Sequence, residues 1–156
     1  MMKGMNFESL CWGRTLLVKW TGEPNMPDVQ QLGDIVANAR RKAERDLLYV
    51  ALIPAGLKTV PSPEVRTAMT RGLKGAQSCC ESIDLILLAD GVAGALLRSA
   101  LRGMAVVTGR GRKIFIHDSP ATAIARLSAQ VDNEELAPLK AALARAHSAL
   151  ADTRRA

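Results

Sequence analysis

Apolar residues along this chain fall into two rhythms that take turns: short unbroken runs, and longer stretches in which they recur every three or four positions. "RTLLVKWTG", Arg14 to Gly22, is rich in β-formers and closes on a glycine turn. "NFESLCWG" just before it alternates well enough to be its hairpin partner across Gly13. From Pro27 the apolar positions are Val29, Leu32, Val36, Ala39 and Ala43, with Asp28, Gln30, Gln31, Asp34, Arg40 and Arg41 off that stripe. This is a helical period, with its acid early and its bases late, as the helix dipole favours.

"DLLYVALIPAGL" reads as a strand buried on both faces that stops at Pro54 and Gly56. The second helix carries Val65, Ala68, Met69, Gly72, Leu73 and Ala76 on one face, and "IDLILLAD" is the next buried strand. Ala93, Leu96, Leu97, Ala100, Met104 and Val107 predict a third helix reaching about Thr108, capped at Gly109 or Gly111. "RKIFIHD" is a short strand, and Ser119 followed by Pro120 starts a helix with Ala123, Ile124 and Leu127 inward. Leu136, Leu139, Leu143, Ala146 and Leu150 take heptad positions in a last helix, which Pro138 predicts to begin near Ala137.

The expected fold is therefore α/β: a single mixed, mostly parallel sheet covered by helices, in the order ββαβαβαβα with an added C-terminal helix. The expected division is residues 1–131 as the domain and 132–156 as an amphipathic helix with a basic tail. Composition agrees, since 48% of the 156 residues are apolar but only 3% aromatic, a core of aliphatic side chains. No stretch has the roughly 20 apolar residues of a membrane span, and "MMKGMNFESLCWG" has no secretory pattern. Three cysteines, Cys11, Cys79 and Cys80, point to a reducing cytoplasm. The charge of +6 is dispersed, which argues against a nucleic-acid partner.

Chemistry is scarce. His117 beside Asp118 has no nucleophile assigned to it by spacing and reads as a surface histidine. Cys79 and Cys80 lack zinc-site spacing and read as packing residues at a helix end. "TGRGRK", 108–113, follows a helix and precedes a strand, the reverse of a phosphate loop. It reads as a cap and turn, although Arg110 and Arg112 could join Arg98 and Arg102 in a basic docking patch. Neither a metal set nor a cofactor loop emerges, and the expectation is a chain that is not an enzyme and needs no cofactor.

The order of elements, together with "ALLRSALRGMAVVTGRGRKIFIHDSPATAIARL" and its Phe115, Asp118, Ala123 and Leu127, resembles the STAS domain of anti-sigma-factor antagonists and its SpoIIAA-like bacterial relatives. The resemblance covers about residues 7–130. It implies a non-enzymatic module of bacterial regulation and signal transduction that docks on a protein partner, sometimes under phosphorylation control. The matching switch loop is "IPAGLKTVPSPEV", where no acid precedes the hydroxyls and extra residues separate strand from helix. Ser62 and Thr59 are the candidate phosphorylation sites, with Ser62 also placed to cap the second helix. Lys58, Arg66, Thr70 and Lys74 are the candidate partner-binding residues, and the leucine stripe offers a homodimer seam. The alternative is a small-ligand or lipid-binding domain of SEC14-like type, with an apolar pocket between helices and sheet.

Overall fold

In the computed structural model, described for residues 2–3, 6–55, 61–107 and 113–155, the three buried runs of the sequence lie side by side at the centre of one sheet. Its strands are β1 (Met2–Lys3), β2 (Phe7–Trp12), β3 (Thr15–Trp20), β4 (Leu47–Ile53), β5 (Cys80–Leu87) and β6 (Ile114–His117), and they stand in chain order. β1, β2 and β3 pair antiparallel, while β3 to β6 are parallel. The expected mixed, mostly parallel sheet with covering helices is what the chain forms. β1 is an addition to the expected order; two residues are too few for a period to register.

The strand order has a direct consequence for the helices. Right-handed crossovers that always add the next strand on the same side put every crossover helix on the same face. Accordingly α1 (Met26–Ala43), α2 (Pro63–Cys79) and α3 (Gly91–Val107) share one face. They pack toward Leu16, Val18, Tyr49, Ala51, Ile83 and Leu85. The other face, with Leu17, Leu48, Val50, Leu52 and Ile86, is covered by the helices that follow the last strand, α4 (Pro120–Leu127) and α5 (Asn133–Arg155). β4, central and buried at every position, feeds both clusters alternately.

α5 starts at Asn133 and carries Pro138 inside it, not near its first residue as expected. The start is decided by Asp132, whose carbonyl accepts from the Glu135 and Leu136 amides. The bond that Pro138 cannot donate would have gone to Glu134, which is exposed to water. Leu136, Leu139, Leu143 and Ala146 are buried against the sheet, so this chain itself covers the stripe that a second copy would use; the Leu150 side chain lies outside the described residues.

One carboxylate ties α5 to the β2–β3 turn. Gly13 has φ +53, and Glu135 occupies the space where a Cβ would stand. Glu135 Oε1 accepts from the Arg14 amide at 3.1 Å and Oε2 from the Thr15 hydroxyl at 2.7 Å.

Two expected faces are corrected. α3 turns Leu97 and Leu101 toward the sheet and leaves Leu96 exposed along with Val92 and Val106. Apolar residues surround this helix, so the period could not choose a face. Gly94 permits the observed seating, since its backbone lies so close to the Ala89 carbonyl that a Cβ would meet it at 2.2 Å. On α1, Asp28 is buried, not solvated: its carboxylate accepts from Asn6 Nδ2 at 2.8 Å and its amide donates to the Asn25 cap at 2.9 Å.

If Glu135 seats α5, Glu135→Ala should lower unfolding free energy by about 1–3 kcal/mol. Urea denaturation followed by circular dichroism measures this, and an unchanged midpoint would contradict the tie.

Candidate functional site

The two faces of the sheet are filled differently. On the face under α1 and α2 a cavity of about 360 Å³ remains, walled by β3, β4 and β5 below and by α1, α2 and Leu101 of α3 above. Trp20, Tyr49, Ala51, Ile53 and Leu85 form its floor, while Val29, Leu32 and Val36 of α1 face Met69, Leu73 and Ala76 of α2. The α2 face expected to pack inward does turn inward, but of its six residues only Val65 is buried, while Met69, Gly72, Leu73 and Ala76 border this space.

Local sequence explains the gap. Gly33, Gly72 and Gly75 lie in helices and line the cavity, and a Cβ added to any of them meets nothing within 4 Å. No steric contact requires glycine there, yet each costs its helix roughly 0.5–1 kcal/mol relative to alanine. All three are exposed, so they mark a mouth between α1 and α2. The wall contains no Lys, Arg, His, Asp or Glu.

The opposite face holds a polar cluster instead. Asp84, fully buried on β5, accepts from His117 Nε2 at 2.7 Å and Arg126 Nε at 2.6 Å on Oδ1. On Oδ2 it accepts from Ser82 Oγ at 3.1 Å and from a second Arg126 nitrogen. His117 donates here, since an ionised carboxylate can only accept. The four bonds use the acceptor capacity of the carboxylate, and Ser82 also accepts from Arg126 at 2.8 Å. With the Arg126 guanidinium stacked 3.9 Å over the Phe115 ring, the cluster is a clamp joining α4 to β5 and β6. His117 is thus buried and paired with Asp84, a correction to the surface reading; Asp118 pairs instead with Arg98 at 2.9 Å. The sequence hid this because Asp84 and His117 are 33 residues apart and meet only through strand pairing.

The other expected residues are scattered. Ser62 caps α2, its Oγ accepting from the Val65 amide at 3.3 Å. Arg66, Thr70 and Lys74 lie on α2 away from the cavity wall, and Thr70 donates to the Arg66 carbonyl. Lys58 and Thr59, most of the 55–62 loop, and Gly109, Arg110, Gly111 and Arg112 lie outside the described residues. Arg98 is engaged by Asp118 and the Ala89 carbonyl, and Arg102 is exposed. Cys80 is buried, and loss of solvation, aided by Cys79, pushes its thiol up to about 12, far from nucleophilic at neutral pH.

Among the described residues no group of three His, Cys, Asp or Glu side chains could hold a metal ion, and no helix is long and apolar enough to cross a membrane. Comparison with family models, curated proteins and solved structures gives no match.

The clamp should matter for stability alone. Arg126→Met leaves the buried Asp84 carboxylate with only His117 and Ser82 and should cost about 3–5 kcal/mol, read from the thermal midpoint; a loss below about 1 kcal/mol would show that the clamp is unimportant.

Proposed function

We propose that this chain is a non-enzymatic binding domain whose ligand is a small apolar molecule held between α1, α2 and the sheet. The observation that carries this is the cavity itself: about 360 Å³, apolar, and entered past three glycines whose side-chain space is open. The apolar side chains around this space lack packing partners on the side that faces it. Water is a poor filler because each molecule needs two to four polar partners, and this wall offers few. An apolar guest restores the missing contacts. The free thiols of Cys11, Cys79 and Cys80 fit a reducing compartment such as the cytoplasm.

A second reading, regulatory docking of a protein partner through the 55–62 loop and α2, follows from the STAS resemblance. It is favoured by one observation: Arg66, Arg71 and Lys74 are exposed on α2 and have no ion-pair partner among the described residues, a surface suited to an acidic partner. The two readings share α2, so a guest beneath the helix could tune what docks above it.

Mouth and charge separate them. Gly72→Leu should project into the mouth and reduce uptake of an uncharged naphthalene probe at least tenfold in equilibrium dialysis, without lowering the thermal midpoint. Native mass spectrometry of the chain from its own cells should show a retained small molecule. Absence of both uptake and retained mass would end the ligand reading. The joint change Arg66→Ala and Lys74→Ala should leave probe uptake intact and weaken a purified acidic partner; unchanged partner affinity would remove the docking reading.

A further inference from the structure

The cavity wall has a chemical signature beyond being apolar. Tyr49 lies in the middle of β4, beside Leu16 of β3 and Ile83 of β5, and is 7% exposed. Among the described residues nothing hydrogen-bonds to its hydroxyl. No buried side-chain oxygen or nitrogen of the described residues is both shut away and unpaired, so this hydroxyl must border open volume. The open volume that Tyr49 lines is the cavity. A phenol that water reaches poorly and no side chain answers is a donor in want of an acceptor, so the position selects for a guest that answers it.

The character of that guest follows from what the wall can offer. Burial raises the Tyr49 phenol, with the nearby Cys80 a smaller contribution, so at neutral pH it keeps its proton and can donate. Trp20 supplies an indole N–H, also a donor, and no carboxylate or amide side chain lines the cavity to receive a donor from a guest. No cation lines it either, so an ionised carboxylate or phosphate would be desolvated without compensation. Size sets the rest, because a cavity of roughly 150 Å³ takes benzene and this one is more than twice that.

Building on the cavity reading above, we infer that the guest is an uncharged molecule of roughly 12–15 non-hydrogen atoms, largely hydrocarbon, with a carbonyl or ether oxygen that accepts a hydrogen bond from Tyr49. Tyr49 is then the specificity-determining residue of the site. Ala51 and Ile53, which follow it on the same face of β4, give the hydrocarbon body a surface without polar groups.

The test uses three probes of nearly the same shape: 2-acetylnaphthalene with an acceptor, 2-ethylnaphthalene without one, and 2-naphthoate with a charge. Equilibrium dialysis at pH 7 against the full chain and against Tyr49→Phe gives the affinities. The ketone should bind about five- to tenfold more tightly than the hydrocarbon, as one hydrogen bond allows, and the naphthoate most weakly. Tyr49→Phe should abolish the ketone's advantage and leave the hydrocarbon unchanged, which also reports that the variant is folded. Equal affinity for ketone and hydrocarbon in the full chain, an undiminished ketone advantage in Tyr49→Phe, or tightest binding of the naphthoate would overturn the inference while leaving an apolar site in place. Binding of none of the three would remove the cavity reading and the inference together.

Discussion

The structure depends on the need to bury both faces of a parallel sheet whose strands stand in chain order. β4 alternates Leu48, Val50 and Leu52 on one side with Tyr49, Ala51 and Ile53 on the other, and neither set can be left in water. Crossover handedness commits α1, α2 and α3 to a single face. The second face must then be covered by whatever follows the last strand. α5 is therefore part of the core, and the contact of Glu135 with the β2–β3 turn holds the end of the chain against its beginning.

The same constraint divides stability from recognition. Under α4 and α5 the buried carboxylate of Asp84 is satisfied by His117, Arg126 and Ser82. Under α1 and α2 the exposed Gly33, Gly72 and Gly75 border a space that the helices leave open. A guest or a substitution on the open side can act without touching the clamp, because the sheet stands between them. α2 links that cavity to the exterior, since it bears cavity-lining residues on one side and the exposed Arg66, Arg71 and Lys74 on another.

Much of the fold was legible because its signals are local. Periods of two or of 3.6 residues, Ser62 and Ser119 ahead of their prolines, and the turn at Gly13 each act within a few residues. Legibility failed where two positions distant in sequence compete for one contact. Asp28 looked solvated until Asn6 met it, and His117 looked solvated until strand pairing brought it to Asp84. α3 is a different case, apolar nearly all round and so without a single face to read, and Gly94 permits its close approach to Ala89. Pro138 is a strong local signal that a longer-range demand overrode, since α5 begins where Asp132 and Glu135 can anchor it.

The sequence by itself determined the type and order of the main elements and the amphipathic character of the last helix, because backbone preference and hydrophobic period are properties of neighbouring residues. It did not determine how well the helices fill the space above the sheet. That depends on the separation of α1 from α2 and on where Gly33, Gly72 and Gly75 fall relative to Tyr49 across it. A cavity is a property of surfaces that fail to meet, and only the assembled chain decides which surfaces those are.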